Sequence, residues 1–235
     1  MIKEALQYLI SLGNVETKTV GTQILSTQPM SVIKEPTFAT TTVHSLSGLV
    51  EYLKSNFDGN QPLMVHVESP TSVSAYTGFN RDGVRNTLIE AKALLPEFRC
   101  DKWYDAEEFN IKLQSVFVTN EDRQNMLQVV GNIKDESVST FGDDGVSQQV
   151  TAKTGVATVA AVPVPNPVLL APYRTFVEVK QPESNFVFRM KSGPYCALFE
   201  ADGGAWKIEA MDTVKDYLAK ELSEKIAAGS IVLIA

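Results

Sequence analysis

The chain has 235 residues, 44% of them hydrophobic and 21% charged, with a formal net charge of −7. This composition excludes a collagen, a coiled coil and a polar disordered chain, and at this length about three quarters of the unfolded surface can be buried on folding. The acidic balance opposes nonspecific attachment to phosphate backbones, which relies on Lys and Arg to displace counterions, so nucleic acid is not indicated as a partner.

Residues 2–12 repeat Ile2, Leu6, Leu9 and Ile10 at helical spacing, with Lys3, Glu4 and Gln7 between them and Gly13-Asn14 behind. The spacing predicts a helix packed by one face, and the interspersed charges are unlike a secretion signal. Residues 15–43 are rich in Thr and Ser and carry Pro29 and Pro36, which predicts short edge strands near 22–26 and 31–34. Leu46, Leu49, Val50, Leu53 and Phe57 then predict a helix capped by Ser45 and closed by Asp58-Gly59.

Leu63, Val65 and Val67 alternate with polar or long side chains, the period of a strand with one dry face. Arg81-Asp82-Gly83 between the β-prone runs 73–79 and 84–94 predicts a long hairpin, because Gly accepts positive φ. Asp105 can cap a helix that aligns Phe109, Leu113, Val116 and Phe117, and Thr119-Asn-Glu-Asp122 starts another ending near Gly131.

The next turn, 141–145, lies between β-prone segments 137–140 and 146–150. Residues 154–173 form the longest weakly charged stretch, but Pro163, Pro165, Pro167 and Pro172 would break a spanning helix, so no membrane segment is expected. This stretch predicts a semi-extended crossing, with 163–172 the one candidate for an internal boundary in an otherwise single domain, 1–235. A meander of strands at 173–179, 186–190, 195–199 and 205–209 is expected next, then a helix over 212–227 and a last strand at 230–234. The expected fold class is α+β, a mixed and mainly antiparallel sheet with hairpins and about five helices.

Candidate chemistry is sparse. Cys100 and Cys196, isolated from each other, read as buried reduced thiols in a reducing compartment, and His44 and His66 are the only histidines. No structural metal and no cofactor are expected from them. Ser31-Val-Ile-Lys34 and Lys153-Thr154-Gly155 match elements of serine β-lactamases, but Pro29 and Pro36 bracket a β-prone stretch where that chemistry needs a helix start. Asp82 with Glu90-Ala91-Lys92 matches the pattern of Mg²⁺-dependent nucleases, since alternation puts Glu90 and Lys92 on one strand face where carboxylates hold the ion and the lysine meets developing phosphate charge. The competing account is a solvated ion pair beside an ordinary Asp-Gly turn. A third option is a small anionic ligand such as a nucleotide, held by turn amides and Arg81, Arg85 or Lys153.

Trp103 and Tyr104 are interface candidates beside Arg99 and Lys102. Ile231, Val232, Leu233 and Ile234 form an apolar run that would be sticky if free, and so predicts a strand paired within the subunit or across a subunit contact.

The segments TVHSLSGLV at 42–50, HVESP at 66–70, WYDAEEF at 103–109, VGNI at 130–133, DGVSQ at 144–148, TAKTG at 151–155 and FEADG at 199–203 together resemble the YfdQ-like family of phage and prophage proteins. The resemblance runs through most of the chain and transfers no catalytic residues. It implies a protein of the bacterial host cytoplasm, in an infected or lysogenic cell. With no convincing site in the residues, the expected function is non-enzymatic: homo-oligomerisation and binding of a host or phage partner, with the nuclease and the anion-binding protein as alternatives.

Overall fold

The computed structural model describes residues 2–14, 16–20, 23–26, 36–131, 141–143, 148–154, 158–163, 166–191 and 193–235. In chain order the elements are α1 (Ile2–Gly13), β1 (Thr17–Val20), β2 (Gln23–Ser26), β3 (Thr41–Val43), α2 (Leu46–Ser55), β4 (Leu63–Ser69), β5 (Ser72–Phe79), β6 (Arg85–Lys92), β7 (Tyr104–Asp105), α3 (Ala106–Val116) and α4 (Glu121–Gly131). They continue with β8 (Phe141–Asp143), β9 (Gln148–Thr154), β10 (Thr158–Pro163), β11 (Val168–Leu170), β12 (Ser184–Lys191), β13 (Tyr195–Glu200), α5 (Trp206–Glu221), α6 (Ser223–Ala227) and β14 (Ile231–Ile234). The fold is α+β with mostly antiparallel strands, as the sequence predicts.

The largest sheet runs β14-β4-β5-β6-β3, antiparallel in the middle and closed at both edges by a parallel strand. Its ladders align Val65 with Ala75 and Ile89, and Val67 with Val73 and Ala91, so one face is apolar and buried. Helices α2 and α5 cover that face with Leu46, Leu49, Val50 and Leu53 from one and Val214 and Leu218 from the other. Ser45 caps α2 by accepting the Gly48 N–H at 3.1 Å. Glu178, far along the chain, accepts the Leu46 and Ser47 N–H groups at 3.0 and 2.9 Å, so most of this helix start is satisfied by two carboxylate oxygens and a hydroxyl.

A second sheet, β11-β12-β13-β7, is antiparallel throughout. Alternate residues Phe186, Phe188 and Met190 of β12 and Cys196 and Leu198 of β13 point to one side, where α3 and α4 bring Phe109, Leu113, Val116, Met126 and Val130. Asp105 caps α3 through the Glu108 N–H at 2.7 Å. Arg123 of α4 donates to the carbonyls of Leu113 and Gln114 at 2.6 and 2.7 Å, which satisfies the carbonyl end of α3. Strands β8, β9 and β10 form a third, antiparallel sheet, and β1 pairs antiparallel with β2.

Four expectations are corrected. Residues 141–143, expected within a turn at 141–145, form strand β8 and pair with β9 instead, while 144 and 145 lie outside the described residues. Residues 173–179 are a folded turn and not a strand: the Gln181 side chain accepts the Arg174 and Thr175 N–H groups and donates to the carbonyls of Phe176 and Val179, taking the backbone partners a ladder would need. Residues 205–209 start helix α5 and are not a strand, because Gly203 and Gly204 at positive φ and the Asp202 carboxylate accepting the Gly204 N–H turn the chain into it. Helix α1 forms over the expected residues, but none of its side chains is buried, so the expected packed face is absent. The expected strands at 31–34 and 137–140, with Ser31 and Lys34, lie outside the described residues. Among the described residues, no helix is long and apolar enough to cross a membrane.

Candidate functional site

The face of the five-stranded sheet turned away from α2 and α5 carries three of the polar side chains that sequence reasoning singled out, His66, Glu90 and Lys92. Strand alternation sends His66, Glu68, Ser74, Tyr76, Glu90 and Thr42 to this side, opposite the apolar face under α2 and α5. Glu90 is held by Lys92 at 2.7 Å and by the Thr42 hydroxyl at 2.8 Å, both on the same oxygen. The lysine's hydrogen bond, then that of Thr42, pulls the Glu90 carboxyl below the usual carboxylate range. Two residues away across the ladder, Glu68 accepts from Tyr76 and, at 3.1 Å, from Ser72. Desolvation pushes Glu68 up, but these hydrogen bonds and one from Ser74 outweigh it and leave its carboxyl depressed, while Tyr76 is raised by burial and by its bond to Glu68. The face is thus a set of internally satisfied carboxylates.

Asp82 does not join them. It sits in the β5–β6 turn, 3.7 Å from Arg81, while Glu90 lies five residues along β6 from Arg85, roughly 16 Å at the usual rise of an extended strand. Glu90 and Lys92 therefore share a face as expected, without the second carboxylate that would share a metal ion. Among the described residues, no three His, Cys, Asp or Glu side chains converge to hold one.

The turn that was a candidate anion cradle has its amides committed. Asn80 accepts the Asp82 and Val84 N–H groups through its side chain at 3.0 and 2.9 Å, and the Gly83 N–H through its carbonyl at 3.0 Å. Arg85 lies over the Phe79 ring, 4.0 Å from its centre, and Lys153 is on β9 in another sheet.

Tyr104 is a core residue, buried in the second cluster and bonded through its hydroxyl to the Arg99 backbone. Trp103 lies on the other side of that sheet, edge-on to Phe199 and under the Lys191 ammonium at 4.3 Å. Of this pair only Trp103 remains part-exposed. His44 bonds the Lys92 carbonyl at 2.9 Å and His66 faces the Tyr76 ring. Burial pushes the Cys196 thiol up to about 12 and Cys100 to about 11, which disfavours the reactive thiolate at both; the expected burial holds for Cys196, while Cys100 is half-buried. The four β14 candidates split by alternation: Ile231 is buried against the helices and Leu233 half-buried, while Val232 is 57% exposed and Ile234 38%.

No protein-family model matches the chain, and neither a curated protein nor a solved structure is found to be similar to it.

Two features escaped the sequence reading. One is a buried polar knot around Arg174, 8% exposed, which donates to Ser184, to the Pro182 carbonyl at 3.2 Å and to Glu200 at 3.4 Å, and stacks 4.0 Å from the Trp206 ring centre. Ser184 in turn donates to Asp202 at 2.5 Å. The knot holds no histidine or free nucleophile; it ties β12, β13 and the start of α5 together, and its members are scattered over more than thirty positions with no spacing that marks them. The other is the apolar surface of α1. Ile2 is 82% exposed and Leu12 52%, with Leu6, Leu9 and Ile10 between these values. Its amphipathic spacing is plain in the sequence, but nothing in that spacing tells a covered face from an open one.

Proposed function

We propose that this protein is non-enzymatic and acts by self-association and by binding a host or phage protein in the cytoplasm of a bacterium carrying a phage or prophage. The observation that carries this reading is α1, a twelve-residue amphipathic helix whose apolar residues all face solvent. Isolated helices of this length are marginal in water, and each large aliphatic side chain left exposed forfeits about 1.5 to 3 kcal/mol relative to burial. A partner surface supplies that burial. The phage context rests on the resemblance of segments such as 42–50 and 103–109 to YfdQ-like proteins.

Size-exclusion chromatography with light scattering tests the reading. A species larger than 25.8 kDa is expected, with Leu6→Glu/Leu9→Glu reducing its size while the melting temperature of the body is kept. A wild-type protein that stays monomeric across micromolar concentrations overturns self-association.

A further inference from the structure

The two edges of the five-stranded sheet are built differently. At one edge β3 is short and polar, with Thr41 and Thr42, and the Thr42 hydroxyl is spent on Glu90. At the other, β14 is four apolar residues with no charge, proline or bulge, the devices that normally blunt a free edge. Among the described residues β14 pairs only with β4.

The register fixes which backbone groups are left over. Ile231 is level with Leu63 in the parallel ladder, and the Leu63 N–H donates to the Ser230 carbonyl at 2.9 Å. Continuing that alternation, Val232 and Ile234 direct their N–H and C=O groups to β4, and Ile231 and Leu233 direct theirs away from the sheet. The outward set is self-complementary. In an antiparallel pair about a two-fold axis at Val232, Ile231 of one copy faces Leu233 of the other and both pairs exchange backbone hydrogen bonds, about four in all. The same arrangement sets the exposed Val232 side chain against its own copy at the non-hydrogen-bonded position, and covers apolar surface where no like charges meet.

We infer that β14 is a contact between two copies of this chain, which join their five-stranded sheets edge to edge through Ile231 and Leu233 backbone groups, with Val232 on the two-fold axis. The inference rests on the self-association reading and adds a second surface to the one on α1, separable from it because Leu6→Glu/Leu9→Glu and Val232→Lys act on different contacts.

Because Val232 meets itself, at a Cα separation of about 4.5 Å, a Val232→Cys variant falls within the span of a disulfide. Non-reducing electrophoresis after mild oxidation should show most of Val232→Cys at twice 25.8 kDa, and Ile234→Cys, which faces Ser230 of the other copy, at least tenfold less. Cys196 is buried and Cys100 half-buried, so the wild type is the background control. In light scattering Val232→Lys and Val232→Glu should each lose the edge contact at an unchanged melting temperature, and an equimolar mixture should regain it. If the wild type associates but Val232→Lys leaves its size unchanged and Val232→Cys does not cross-link, the edge contact is overturned and self-association stands on another surface. A monomeric wild type overturns both.

Discussion

Helices α1 and α2 carry the same kind of apolar spacing, Ile2-Leu6-Leu9 in one and Leu46-Leu49-Leu53 in the other, and meet opposite fates. The side chains of α2 are buried between the sheet and α5, whereas those of α1 are all in solvent. The difference lies in what surrounds each helix. Helix α2 has two caps supplied in different ways, Ser45 from the adjoining residue and Glu178 from more than a hundred positions away, and it faces the buried apolar residues Val65, Val67, Val73, Ala75, Ile89 and Ala91 of the sheet. An amphipathic pattern therefore marks an apolar face, and does not by itself say whether that face is covered.

Truncating one leucine in each helix sharpens this contrast most. Leu49→Ala removes a side chain with no exposed surface, and denaturant unfolding should show a loss of about 2 to 5 kcal/mol. Leu9→Ala should change the stability of the monomeric body by less than about 0.5 kcal/mol, as surface substitutions do, while weakening association. A Leu9→Ala loss as large as that of Leu49→Ala would show that α1 is packed within its own chain.

The remote cap comes next in size. Glu178→Ala leaves the Leu46 and Ser47 N–H groups without their carboxylate, and should lower the unfolding free energy by about 0.5 to 2 kcal/mol while Glu178→Gln recovers part of it. No change in either variant would mean that Ser45 alone suffices to start α2.

The smallest expected effect is a pH dependence. Burial raises the Asp202 carboxyl, but the Ser184 hydroxyl, the Gly204 N–H and the charge of Arg174 outweigh it and leave the folded-state pKa depressed. Its contribution is thus present above the unfolded value, roughly pH 3.9, and is lost as pH falls through the folded one. Asp202→Asn should be less stable than the wild type at neutral pH, with the gap closing in acid. A gap that stays constant from pH 7 down to pH 3 would show that the carboxylate charge plays no part in the knot.

Much of the local architecture was legible because its causes are local. Ser45 and Asp105 cap the helices they precede, Asp82-Gly83 turns a hairpin, and the alternation of Leu63, Val65 and Val67 marks a strand with one dry face. The segment 173–179 misled because its β-prone side chains are overruled by Gln181, and by Thr175, whose hydroxyl donates to the Pro70 carbonyl at 2.5 Å. Residues 205–209 misled because aromatic and β-branched residues tolerate a helix almost as well as a strand, and the turn through Asp202, Gly203 and Gly204 decides between them. The polar face was half legible: alternation places Glu90 and Lys92 together, but sequence separation says nothing of the distance between the hairpin tip at Asp82 and the middle of β6.

By itself the sequence determined the α+β class, most element positions, the capping residues and the apolar character of 231–234, since each follows from propensity, period or hydrophobicity within a few residues. The tertiary structure alone decided that β14 lies parallel to β4 at a sheet edge, that Val232 and Ile234 face outward, that Glu178 closes α2 and that Arg174 is buried among Ser184, Glu200 and Trp206. These are matters of which distant segments meet. They are set by long-range packing and by the competition of backbone groups for partners, and no periodicity within one segment encodes them.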